Sequence, residues 1–187
     1  MEWLKWQRKI LEQDNLDIFE VIATRGAGKT TFSLGWVTKD ADADISIFIT
    51  KNASMIRKKL KENIKTLGLN LNEFHVISNL KQLRKLNTNP KKNIRIVVDE
   101  YFYQPEITLN SLDRILGHKK YKALFIGTRR TKEDTFKIPF SKQYIVDIIQ
   151  LISDQVISPA QLIDILNKGM LDLEQFHIEF GAPFEAN

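Results

Sequence analysis

Apolar and polar positions along this chain follow two alternating periods, and the switches between them outline its elements. Apolar residues at 3, 6, 10 and 11 form a helical stripe over Trp3 to Gln13, which Asn15 ends. Phe19-Glu20-Val21-Ile22 reads as a buried strand, and a helix follows from Thr31 to about Val37. The acidic alternation Lys39 to Asp44 reads as a polar loop, and Ile45 to Thr50 as the second strand. Ser54 is expected to cap an amphipathic helix to Leu67, with Met55, Ile56, Leu60 and Ile64 on one face and Gly68 as its stop. His75 to Ile77 is a short strand, Leu80 to Leu86 a helix, and Asn87 to Asn93, with Pro90, a turn. Ile94 to Val98 and Ala123 to Gly127 supply the fourth and fifth strands, with a helical segment from Leu109 to Leu116 between them. Strands alternating with helices predict an α/β fold, a parallel sheet with helices on both faces. Beyond Lys132 the pattern predicts helices only: Gln143 to Ile157, then Ala160 to Asn167 behind Ser158-Pro159, then Leu171 to Phe180. The expected division is a core over 1–135 and a small helical subdomain over 136–187.

The junction between the first strand and its helix carries the chemistry. Ala23-Thr24-Arg25-Gly26-Ala27-Gly28-Lys29-Thr30-Thr31 is a glycine turn between a strand and a helix, the arrangement that cradles a nucleoside triphosphate. Backbone N–H groups and the positive helix end face the phosphates, Lys29 reaches the β and γ oxygens, and the Thr30 hydroxyl ligates Mg²⁺. The glycines permit positive φ and a close backbone approach. The usual pattern opens with glycine, and here Ala23 holds that place. Ala23, Thr24, Gly26, Ala27, Gly28, Lys29, Thr30 and Thr31 are therefore the residues expected around ATP. Arg25, a charge inside the loop, is assigned to nucleotide chemistry.

Two carboxylates end the fourth strand, about 70 residues after the loop lysine, in Ile94-Arg95-Ile96-Val97-Val98-Asp99-Glu100. In phosphate-loop enzymes the acid at this tip completes the Mg²⁺ shell, a role that suits Asp99. Glu100 is placed to orient and deprotonate the attacking water, or else is a surface acid at a helix start. The fifth strand ends in Gly127-Thr128, whose hydroxyl is expected to sense the γ-phosphate or simply to cap the strand. Arg129 and Arg130 read as a transition-state finger, a DNA contact or solvated charge.

Composition narrows the class. The 187 residues are 43% apolar and 27% charged, as in an ordinary globular domain. No apolar run approaches the roughly 20 residues of a membrane span, so no membrane partner is expected. The N-terminus has no signal-peptide pattern, and an intracellular protein is expected. There is no cysteine, which excludes disulfides and thiolate metal sites. The net charge of +5 is clustered around Arg57 to Lys65, Lys81 to Lys85, Lys91 to Arg95, Lys119 to Lys122 and Arg129 to Lys132, and it tilts the reading towards a polyanionic partner.

Taken together, these features resemble the ATPase domain of bacteriophage large terminases, the motors that pump double-stranded DNA into a capsid. Trp3-Leu4-Lys5-Trp6-Gln7 looks like that family's adenine-recognition segment, and Arg25 ahead of Gly-x-Gly-Lys-Thr is similar to its deviant loop. Val97-Val98-Asp99-Glu100 matches its acidic strand end, Gly127-Thr128 its coupling motif, and Glu174 to Phe184 the close of its motor domain. The resemblance implies an ASCE-type P-loop fold and Gln7 as the base-reading amide. It implies ATP and Mg²⁺ as cofactors, double-stranded DNA as partner and a homo-oligomeric ring completed by a basic residue in trans. Lys119, Lys120, Arg129 and Arg130 are the candidates for that residue or for DNA contact. Portal and small-terminase partners in the host cytoplasm would follow. The chain carries no acidic second half that would supply a terminase nuclease, so ATP hydrolysis without DNA cutting is expected. The rival readings are a helicase-like or recombination ATPase, a small kinase, and a nucleotide-gated scaffold module.

Overall fold

The computed structural model describes residues 3–13, 16–38, 43–67, 73–86, 92–117, 120–129, 131, 133–139, 141–158, 160–161 and 163–164. Helix α1 (Lys5–Leu11) leads into β1 (Ile18–Ala23), α2 (Lys29–Thr38), β2 (Ile45–Ile49), α3 (Ala53–Leu67), β3 (Glu73–Ile77) and α4 (Leu80–Lys85). Strand β4 (Ile94–Asp99), a 3₁₀ turn (Tyr101–Tyr103), α5 (Leu109–Leu116), β5 (Tyr121–Gly127), β6 (Lys142–Val146) and α6 (Ile148–Ser153) follow. The six strands form one sheet in the order β3-β2-β4-β5-β1-β6, and every pairing is parallel. The loop strand β1 and the acidic strand β4 are thus separated by β5, the strand order of an ASCE-type P-loop sheet.

Strands covered on both faces explain the near-continuous apolar runs, since parallel sheets are buried on both sides. Alternate residues of β4 divide between two cores. Val97 packs with Phe19, Val21, Phe32, Trp36 and Leu124, on the face covered by α1 and α2. Ile94, Ile96 and Val98 pack with Leu83, Tyr101, Leu112 and Phe125, on the face covered by α4, the 3₁₀ turn and α5. Because side chains alternate along a strand, Asp99 shares the face of Val97 and so points towards α2.

Helix α2 is buried nearly all round from Phe32 to Thr38, because α1 lies over the side that the sheet does not cover. Gly35 permits this layering: a Cβ there would sit 2.1 Å from the ring of Trp3. The C-terminal carbonyls of α2 are capped by side chains from the sheet. Arg95 donates to the Trp36 carbonyl with its guanidinium over the Trp36 ring, and the Ser46 hydroxyl donates to the Val37 carbonyl at 2.7 Å. A cation at a helix C-terminus is favourable, and burial lowers the Arg95 pKa to about 10.

Several expectations are corrected. Gln143 to Ile157 is not one helix: Lys142–Val146 is a strand beside β1, and only Ile148–Ser153 is helical. The β-branched and aromatic run Tyr144-Ile145-Val146 finds a ladder partner in β1, a long-range gain that local periodicity does not register. The core therefore runs past residue 135, since β6 belongs to the sheet and Leu151 of α6 to its core. Arg95, read as part of a basic surface cluster, is buried with 6% exposure. Helix α3 starts at Ala53, so Ser54 lies within it, and Met55 lies off its buried stripe. The segments predicted beyond 164 lie outside the described residues.

Candidate active site

The C-terminal tips of β1, β4 and β5 converge on one edge of the sheet. At the first tip, Gly26 and Gly28 take φ of +79° and +76°, a region that only glycine enters without strain. This lets the chain turn from β1 into α2 within a few residues and sets Lys29 and Thr30 at the positive end of the helix. The Lys29 ammonium folds back on the loop, 3.3 Å from the Ala23 carbonyl and 3.2 Å from that of Thr24. Thr30 and Thr31 are half-exposed and Arg25 is exposed at the crest of the loop.

Helix α1 buttresses this loop. Trp6 Nε1 donates to the Ala27 carbonyl at 3.1 Å, and the Trp6 ring lies against Phe32 with centroids 4.8 Å apart. Gln7 is buried; its Oε1 accepts from the Leu4 N–H at 3.0 Å, and its Nε2 donates to the Gly28 carbonyl at 3.2 Å. A Cβ on Gly28 would meet Gln7 Nε2 at 2.8 Å, so the glycine is required by contact as well as by φ. The structure therefore places the expected base-reading amide directly against the phosphate loop.

At the second tip, Asp99 is buried at 5% exposure and accepts a 3.0 Å hydrogen bond from the Thr50 hydroxyl. Burial, aided by the neighbouring Glu100 charge, raises its pKa to about 6, while Thr50, Lys29 and Lys59 pull it down. A half-exposed hydroxyl (Thr30) and one buried carboxylate (Asp99) are hard oxygen donors. They fit Mg²⁺, which is held by one or two carboxylates plus substrate phosphates and water. Among the described residues no cluster of three or more His, Cys, Asp or Glu could hold a metal without a substrate.

Glu100 stands at φ 48°, ψ 49°, a left-handed conformation that costs a non-glycine residue energy and concentrates at functional sites. Its half-exposed carboxylate accepts the Thr128 backbone N–H at 3.0 Å. The third tip is thereby joined to the second, with Thr128 buried at 2% exposure. Gln104 steadies the same turn, donating from Nε2 to the Asp99 carbonyl at 2.7 Å.

The basic candidates fare differently. Arg129 is a correction as an outward-facing finger or DNA contact: it is buried at 2% exposure, where desolvation lowers its pKa and the Asp134 charge partly offsets that. Lys120 is exposed, but it precedes β5 and so lies at the sheet edge opposite the loop, beside a groove of about 700 Å³ that Arg95, Asp113 and Lys122 also line. Lys119 and Arg130 lie outside the described residues. Sequence reading missed Thr50 and Gln104 as site residues, and placed Trp6 only within the adenine-recognition segment. Thr50 carried a signal, as the hydroxyl that ends the run Ile-Ser-Ile-Phe-Ile-Thr at a strand tip.

By sequence the chain matches no protein-family model and no curated protein. Its fold does have solved counterparts. The large terminase of a thermophilic bacteriophage, in complex with ADP, superposes with a TM-score of 0.65 at 15% identity, over 94% of this chain and 52% of that one. A second crystal form of that terminase gives 0.68 at 14% identity, over 98% and 54%. The large terminase ATPase domain of Thermus phage P74-26 gives 0.59 at 12% identity, over 98% and 94%. The chain thus spans about half the length of the larger terminase chains and nearly all of the isolated ATPase domain. The fold is that of phage large-terminase ATPase domains, a P-loop ASCE sheet.

Proposed function

We propose that this chain hydrolyses ATP with Mg²⁺ and uses the cycle to move double-stranded DNA into a viral capsid. The observation that carries the reading is the convergence at one sheet edge of the Lys29 loop, the buried Asp99–Thr50 pair and the Glu100–Thr128 contact. The ADP complex of a structural counterpart adds support for a nucleotide at this edge. In this reading the loop N–H groups and Lys29 bind the phosphates, and Gln7 reads the base after leaving the Gly28 carbonyl. Thr30 and Asp99 would hold Mg²⁺, which would supply positive charge against the phosphates. Glu100, released from Thr128 N–H, orients the attacking water and takes its proton, as a base must lie within hydrogen-bond reach of that proton. Thr128 reports the γ-phosphate, and Arg25 at the loop crest faces the developing charge. The net charge of +5 suits a grip on DNA phosphates without base reading. A ring of copies, working with portal and small-terminase partners in the host cytoplasm, completes the proposal, with Lys119, Lys120 or Arg130 reaching the neighbouring site or the DNA.

Phosphate release from Mg-ATP, with and without long double-stranded DNA and across a range of protein concentration, tests it. The expected result is release that rises with DNA and more than linearly with protein. Release indifferent to both would leave a self-contained ATPase and overturn the motor.

A further inference from the structure

A second carboxylate, Glu20, interrupts the apolar run of β1, and the proposed chemistry gives it no role. It is fully buried and aligned with Phe125 of β5 and Gln143 of β6, below the strand tips. Its Oε1 accepts the Lys137 backbone N–H at 2.8 Å, and its Oε2 lies 2.9 Å from the Ser141 hydroxyl. That hydroxyl has a second acceptor in the Ile138 carbonyl at 2.8 Å, and its one proton serves one of them at a time.

Facing Glu20 is Tyr101, the residue after Glu100. Its ring is buried against Phe102 and Phe125, and among the described residues its hydroxyl makes no fully formed hydrogen bond, with Glu20 as its one incipient acceptor. Phe125, the ladder neighbour of Glu20, packs edge-on against the Tyr101 ring with centroids 6.0 Å apart, and burial, then the Glu20 charge, then its weak hydrogen bond push the Tyr101 pKa upward. A buried hydroxyl only weakly met by a carboxylate costs stability, and a small shift of the Glu100–Tyr101 turn would complete the bond.

We infer that Glu20 is a positioning residue that exchanges donors: when Glu100 leaves Thr128 for the substrate water, the Tyr101 hydroxyl engages Glu20 and Ser141 turns to Ile138. Ser141 immediately precedes β6, so the state of Glu100 is passed to the β6–α6 segment through one buried carboxylate. The relay rests on the ATPase reading for its trigger, but its parts are fixed by the contacts above. It also accounts for a charge in the middle of a strand covered on both faces, where an apolar residue would cost nothing to bury.

The test is amide hydrogen exchange of the full chain with and without a non-hydrolysable ATP analogue, in wild type, Tyr101→Phe and Glu20→Gln. Tyr101→Phe keeps the ring and its packing. In wild type the analogue is expected to slow exchange over 23–31 and to alter it over 137–146. In Tyr101→Phe the first response persists and the second is lost, and kcat falls about tenfold, the scale of one hydrogen bond to a charged group, with nucleotide affinity unchanged. Glu20→Gln should reproduce this, and combining it with Glu100→Gln should add no further loss of turnover. An undiminished 137–146 response in Tyr101→Phe overturns the relay alone. No response over 23–31 in wild type overturns the nucleotide site, and the relay's trigger with it.

Discussion

The two halves of the site are built by different means. The loop half is local: β1, the glycine turn and α2 are consecutive in the chain, and α1, just upstream, buttresses the turn. The acid half is assembled from distant segments, with Thr50 on Asp99 across 49 residues and Glu100 on Thr128 across 28. The loop half presents backbone dipoles and an ammonium. The acid half holds two carboxylates in a strained, partly desolvated corner, with the Asp99 pKa raised to about 6. The difference assigns binding to the first half and the timing of chemistry to the second. An acid half held by single hydrogen bonds is one that substrate can rearrange.

Substitutions should separate the halves. The broadest effect is expected for Lys29→Ala, which removes the ammonium from the phosphates: turnover should fall on the order of 10³-fold, and nucleotide affinity should be lost as well in calorimetry. Glu100→Gln should lower kcat by about 10²–10⁴-fold and leave affinity intact, the range for a positioned base. A parallel loss of affinity would merge the two halves into one.

Asp99→Asn should kill Mg²⁺-dependent turnover yet raise the melting temperature. The folded pKa of about 6 lies above the ordinary value of 3.8, so ionised Asp99 opposes folding, fully above pH 6 and not at all below pH 4. That cost is on the order of 2–3 kcal/mol, and the nucleotide-free protein should accordingly gain stability between pH 7 and pH 5 while activity declines. Asp99→Asn should flatten the stability change. Gly28→Ala forces a Cβ into positive φ and onto Gln7, and should cost about 1–3 kcal/mol in denaturant unfolding. The smallest effect belongs to Thr50→Val. Losing the hydroxyl removes one influence that lowers the Asp99 pKa, so the acid limb of the activity profile should move to higher pH by less than one unit.

The same contrast decides what the sequence made legible. Gly26, Gly28, Lys29 and Thr30 could be read because a phosphate loop is a local device whose residues and spacing are its geometry. Asp99 and Glu100 could be read as a strand-end pair, but their partners could not, because Thr50 and Thr128 meet them only through the sheet order. Strand β6 was misread for the same reason: Gln143 to Val146 also fits a helical stripe, and only pairing with β1 decides between the two periods. Charge in an apolar run was the signal available for Glu20 and Arg95, and in both cases it marked a buried partner: the loop around Lys137 and Ser141, and the C-terminus of α2. Arg129 shows the limit of charge as a guide, since two adjacent arginines after a strand resemble a surface patch until burial is known.

The division between binding and chemistry is tested most directly by measuring Mg-ATP affinity and phosphate release together, in wild type and Glu100→Gln, on the same preparation. Tight binding in both proteins, with release confined to wild type, is the predicted outcome. Equal release from the two would remove Glu100 from the reaction and contradict the division.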